Sequence, residues 1–189
     1  MEHQSTNTTD NRQLSRRSVV RTAAHAAWAV PAIQVAATVP AYAAVSDPLT
    51  FTAGSGDWTQ PLGYPYVDVT TTVLNGSATD TTANLQITVQ FPNMYVWSPL
   101  LGANQTITIS NVTGGWSAGT VTYSGTGTGR TATVVFTATA QLAASASKTL
   151  TFRATTTRIL VDPAGADSLT LTATATNHVT GSTTINPTA

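Results

Sequence analysis

The sequence predicts an all-β fold, a sandwich of about seven to nine antiparallel strands. Three observations in the 189 residues point there. Apolar residues alternate with period two over several separate runs, the spacing that turns every second side chain of a strand to the same face. Clusters of Gly, Pro, Asn and Ser interrupt these runs about every 8 to 12 residues, as turns do between short strands. Threonine makes up close to a quarter of residues 44–189 and mostly takes the outward positions. Its β-branch suits a pleated surface, and its hydroxyl keeps that face wet without adding charge.

The clearest alternation lies between Tyr66 and Pro92. Val67, Val69, Thr71 and Val73 share one face of a first run, and Leu85, Ile87, Val89 and Phe91 share one face of a second. Asn75-Gly76-Ser77 ends the first run, and Pro92, which cannot donate to a ladder, ends the second. The linker from Gly76 to Asn84 spans about nine residues and lacks a tight two-residue turn. That favours opposite sheets over a simple hairpin, with Val69 and Val73 facing Ile87 and Val89 across the core.

The remaining elements follow in chain order. Leu49–Ala53 predicts a first edge strand, broken by Gly54-Ser55-Gly56-Asp57, with an irregular segment from Trp58 to Pro65. Met94–Trp97 reads as a short strand or an ordered loop, and Gln105–Val112 as a strand ended by Gly114-Gly115. Gly119–Ser124 carries Val121 and Tyr123 on one face, and residues 125–129 form a glycine-rich turn. Three alternating runs complete the core: Arg130–Thr139 with Ala132, Val134 and Phe136 inward, Lys148–Thr155 with Leu150 and Phe152, and Ser168–Asn177 with Leu169, Leu171, Ala173 and Ala175. Thr183–Ile185 makes a last strand. Within residues 44–189 only Gln141–Ser147 has helical propensity, and it is too short to hold a helix alone, so it reads as a loop or single turn.

With 41% hydrophobic and 8% charged residues, the composition is that of a folding chain rather than a disordered one. Residues 44–189 hold four basic and six acidic side chains, a net charge near −2. Basic groups so few and scattered exclude a nucleic-acid partner, whose binding rests on neutralised phosphates. The absence of cysteine excludes disulfides, thiol nucleophiles, zinc-thiolate sites and an acylated N-terminal cysteine.

The first 43 residues read as an export leader, with the sandwich domain occupying 44–189. A polar stretch is followed by Ser15-Arg16-Arg17-Ser18-Val19-Val20-Arg21, an Ala-rich, mildly apolar run from Thr22 to Val39, and the small-residue sequence Pro40-Ala41-Tyr42-Ala43-Ala44. Cleavage is expected after Ala43, with Ala41, Ala43 and Ala44 as the recognised small residues. Paired arginines followed by Val19, Val20 and Arg21 resemble a twin-arginine leader. The resemblance implies export of an already folded domain, with the twin-arginine translocase and a signal peptidase as partners.

A second resemblance rests on Asp68-Val69-Thr70 with Val73 and Asn75-Gly76-Ser77, on Leu85-x-Ile87-x-Val89-x-Phe91-Pro92, and on the K-T-L-T-F-R-A-T strand from Lys148. These segments are similar to the immunoglobulin-like repeats of bacterial surface proteins, including the cell-adhesion-related type. The likeness implies an immunoglobulin-like β-sandwich and a structural or adhesive role at or outside the cell surface, toward a protein or glycan partner. A single copy stands here where such proteins often carry several.

No complete catalytic set is visible after the leader. His178 is the single histidine there, beside a strand end where an exposed turn residue is expected, and no G-x-S-x-G elbow occurs. Glycosidic chemistry needs paired carboxylates, but residues 44–189 contain no glutamate and their aspartates lie mostly beside turns. The sequence therefore predicts no enzyme and no cofactor. Asp162 and Asp167 flank a Pro-Ala-Gly-Ala turn and make a weak calcium pair, without the spacing of an EF-hand loop. Trp58, Tyr64, Tyr66, Tyr95 and Trp97 have two readings: a platform for stacking sugar rings, which would make a carbohydrate-binding module, or aromatics closing the ends of the core. Trp116 and Tyr123 read as core or strand-edge residues.

The leader gives a direct prediction. Replacing Arg16 and Arg17 by Lys is expected to hold the uncleaved precursor in the cytoplasm, measured by fractionation and immunoblotting; unchanged secretion would remove the twin-arginine reading.

Overall fold

The computed structural model describes residues 48–59, 63–99, 101–157 and 167–188, all within the unit Val45–Ala189. In chain order the strands are β1 (Leu49–Thr59), β2 (Tyr66–Asn75), β3 (Ala83–Phe91), β4 (Trp97–Ser98), β5 (Ala103–Asn104), β6 (Ile107–Thr113), β7 (Trp116–Ala118), β8 (Thr122–Ser124), β9 (Thr131–Ala138), β10 (Ser147–Thr156), β11 (Leu169–Thr176) and β12 (Gly181–Ile185). Single 3-10 turns lie at Asn93–Tyr95 and Gly127–Gly129. Among the described residues the twelve strands exceed the expected seven to nine, because four are two- or three-residue pieces.

Two antiparallel sheets carry the fold. One has the order β1-β2-β10-β6, and the other β12-β11-β3-β9-β7, with β8 also paired to β9. Strands one, two, ten and six take the A-B-E-D order of an immunoglobulin-type sandwich, and strands twelve, eleven and three the G-F-C order. β2 and β3 thus lie in opposite sheets, because the long linker carries the chain across the sandwich instead of folding it back as a hairpin.

Alternation in sequence becomes alternation in burial. Val67, Val69 and Val73 of β2 and Ile87, Val89 and Phe91 of β3 are fully buried. Phe136 of β9 and Phe152 of β10 pack across the layer with ring centroids 4.6 Å apart. Thr71 occupies a buried position of β2, and its hydroxyl donates to the Ala53 carbonyl at 3.0 Å, beside the bulge that shifts the β1 register between Phe51 and Ala53.

β1 departs from expectation. It does not break at Gly54-Ser55-Gly56 but pairs with β2 as far as Thr59. A Cβ on Gly54 or Gly56 would stand 3.1 Å from the Ile185 side chain, so the glycines make room for the C-terminal segment rather than end the strand. Beyond β12 the chain crosses to the other sheet, where Thr188 accepts from Trp58 N–H (2.7 Å) and donates to the Gly56 carbonyl (2.9 Å). The outer edge of β1 is therefore partly paired.

Aromatic side chains bridge the opposite side. The Trp116 indole N–H donates to the Thr149 carbonyl at 3.0 Å. The Tyr123 hydroxyl accepts from Ile107 N–H at 2.8 Å and stands 3.5 Å from the Ile107 carbonyl, taking the place of a neighbouring strand on β6.

Phe152→Ala is expected to cost about 3–5 kcal/mol in chemical denaturation, as removal of a buried ring does. Thr88→Ala, on an outer face, is expected to change stability by less than about 0.5 kcal/mol. Equal losses would contradict the assignment of inner and outer faces.

Candidate functional site

The aromatic residues do not form one platform. Trp58 and Tyr95 are buried and pack edge to face at 5.5 Å, and Phe91 meets Tyr95 in the same way at 5.6 Å. Their faces are part of the core, as large rings with one polar tip permit. Asn93–Tyr95 forms a 3-10 turn, so Tyr95 and Trp97 do not share the face of an extended segment. The Tyr95 hydroxyl donates to the Asp167 carbonyl at 3.4 Å; burial pushes its pKa up, and the Asp167 charge adds to the shift. Tyr64 is 54% exposed, while Trp97 is half-buried on β4.

Tyr66 lies under a guanidinium. Arg153 of β10 stacks 3.8 Å above the ring and makes two 2.7 Å hydrogen bonds to the Asp68 carboxylate. These bonds raise the Arg153 pKa above its usual value. β1 adds Asp57 directly opposite Asp68, so the outer face of the four-stranded sheet carries charge.

The outer face of the six-stranded sheet is different. Strand register aligns Thr184, Thr170, Gln90, Thr133 and Thr122 in one row across five strands. Ser182, Thr172, Thr88 and Val135 form the next row, and Thr174, Gln86, Thr137 and Ser117 the third. None of these positions is charged. Several of their polar groups are already bonded within the sheet: Gln86 Nε2 to the Thr137 hydroxyl, and the Thr122 and Ser182 hydroxyls to backbone carbonyls.

At one end of the sandwich a polar cleft of about 370 Å³ is lined by Thr79, Asp80, Thr81, Ala83, Thr176, Asn177 and His178. Two of these lining residues, Asp80 and His178, are bonded to Asn75, the last residue of β2, which is fully buried. The Asn75 amide Nδ2 donates toward the carbonyls of Asp80 (2.7 Å), Ala143 (3.1 Å) and Leu142 (3.3 Å). Its Oδ1 accepts from Ser77 N–H at 3.1 Å and from His178 Nε2 at 3.1 Å. The other ring nitrogen of His178 lies 2.9 Å from the Thr176 carbonyl.

This corrects the reading of His178 as an exposed turn residue: it is half-buried, and both ring nitrogens face oxygens of the structural network. A ring held in that way braces the β11–β12 turn instead of presenting a free base to the cleft. The alternation pattern could not reveal this contact, which joins residues 103 positions apart.

Asp162 of the calcium pair and the leader residues 15–21, 41, 43 and 44 lie outside the described residues. Asp167 is described, and its backbone N–H donates to Met94 Sδ at 2.7 Å. No group of three or more metal-ligating side chains occurs among the described residues.

No family model matches this sequence, and no curated protein matches it. Among solved structures, "Structure of Iho670 Flagellar-like Filament" aligns over 89% of this chain and 94% of its own, at 11% identity and a TM-score of 0.28, too loose to carry an argument.

Asn75→Ala removes the bonds to three carbonyls and to Ser77 N–H, while the Leu142 and Ala143 carbonyls keep the N–H groups of Thr82 and Ala146. At about 0.5–1.5 kcal/mol for each hydrogen bond lost, it is expected to lose about 2–4 kcal/mol in denaturant titration. His178→Ala removes one side-chain brace and is expected to lose about 1 kcal/mol. The reverse ranking would show that the histidine, not the amide, organises this end.

Proposed function

We propose that this chain is an exported, non-enzymatic β-sandwich that serves as a structural or adhesive module at or outside the bacterial cell surface, with the outer face of the six-stranded sheet as its contact surface. The observation that carries this reading is the uncharged three-row array of hydroxyls and amides across that face. Stripping water from a neutral hydroxyl costs far less than stripping it from an unpaired charge, so such a face can lie against a neutral surface at small penalty. Threonine presents a methyl group beside each hydroxyl, which adds apolar contact.

Five strands span roughly 20 Å, and three rows roughly 14 Å, from ordinary sheet spacings. That patch is smaller than the roughly 800 Å² each partner buries in a standard stable complex. Weak contact multiplied over many copies fits it better than tight one-to-one binding. The sugar-platform reading has less support, since two of its five rings, Trp58 and Tyr95, are buried.

Beads coated with the protein, tested for adhesion to bacterial cells and to neutral polysaccharide films, would measure the role of this face. A Thr88→Lys, Thr172→Lys pair is expected to reduce binding more than about tenfold, because a desolvated unpaired charge costs several kcal/mol. Thr70→Lys on the other sheet is expected to leave binding unchanged. Equal adhesion by both variants would refute the assigned face.

A further inference from the structure

We propose that Asn75-Gly76 is a self-modification site that the native fold holds shut, so that unfolding exposes it to deamidation and becomes chemically irreversible. The inference is independent of the adhesive role. It starts from the sequence, where this is the sole Asn-Gly pair and no Asp-Gly pair occurs. With no Cβ on the following residue, the backbone nitrogen meets little obstruction as it approaches the preceding side chain.

The reaction needs no co-reactant but water. The Gly76 backbone nitrogen, giving its proton to solvent base, attacks Cγ of Asn75. The Cγ–Nδ2 bond breaks, and Nδ2 leaves with a proton as ammonia. The resulting five-membered succinimide is opened by water at one of its two carbonyls, which yields either an aspartyl or an isoaspartyl linkage. No electrons are gained or lost.

The native geometry opposes each step. Cγ must swing toward Gly76 N, but the Asn75 amide is fixed by the carbonyls of Asp80, Leu142 and Ala143 and by donors from Ser77 and His178. Those partners come from the β2–β3 connection, the loop before β10 and the turn after β11. Further backbone bonds, Thr82 N–H to the Leu142 carbonyl and Ser145 N–H to the Ser77 carbonyl, both 2.9 Å, tie the first two together. Freeing the amide therefore requires three segments to open together. Complete burial of Asn75 also excludes the water that would open the ring.

The product cannot return to the native place. A carboxylate oxygen in the position of Nδ2 would face the three carbonyls that the amide now donates to, a buried charge with no donor on that side. An isoaspartyl linkage adds a backbone atom at the end of β2. Either product converts a reversible opening into a permanent one.

The test compares the full chain at mildly alkaline pH in buffer and in guanidinium chloride above its unfolding midpoint. Peptide mapping follows the amide-to-acid mass gain at residue 75, and isoaspartate is assayed enzymatically. Deamidation is expected to run at least about a thousandfold faster in the denatured chain, since a marginally stable domain is unfolded about 10⁻³ of the time or less. Refolding yield is expected to fall in step with the modified fraction. Similar rates with and without denaturant would overturn the shielding, and undiminished refolding of modified chain would overturn the irreversibility. Asn75→Asp, which carries the aspartyl product from synthesis, supplies a second check: wild-type stability in that variant would also refute the proposal.

Discussion

Apolar contact between two inner sheet faces holds this protein together. The sequence has no cysteine, and the two described 3-10 turns are too short to bury a face of their own. Stability therefore rests on one layer in which Val67, Val69 and Val73 of β2 share the interior with Ile87, Val89 and Phe91 of β3, Phe136 of β9 and Phe152 of β10. Because these strands come from distant parts of the chain, the layer exists only when both sheets are assembled. A domain built in this way needs no oxidising compartment for its stability.

Closing the layer sets a different problem at each margin. On one side the C-terminal segment crosses from β12 to β1, over glycines that leave room for Ile185. Across the molecule Trp116 and Tyr123 reach from the larger sheet to backbone groups of the smaller one. At one end a single amide from Asn75 joins carbonyls of two loops, adding to the backbone N–H groups that the Leu142 and Ala143 carbonyls already accept. The margins are polar and specific, whereas the centre is apolar and tolerant of pattern.

Much of the fold could be read from residue order alone. β2, β3, β9, β10 and β11 lie where the alternation places them, and their inward residues are the buried ones apart from Ala175, which is half-buried. β1 was harder, since glycine carries the same sequence signal whether it ends a strand or admits a neighbour. β7 is only three residues long and offers no period to detect. Trp58 and Tyr95 show the limit at the candidate site: a ring that closes a core and a ring that stacks on sugar have the same identity and local spacing. The uncharged face was legible as outward threonine, but not as a single surface, because its extent depends on which strands are neighbours.

The sequence by itself determined fold class, the inward and outward face of each main strand, and the scarcity of charge. Those properties are local, carried by a period of two and by composition. Tertiary structure alone decided which strands adjoin, which aromatics are buried, and that Asn75 and His178 meet. Such contacts depend on long-range pairing, which no local pattern encodes, because alternation specifies the face a residue occupies but not what lies opposite.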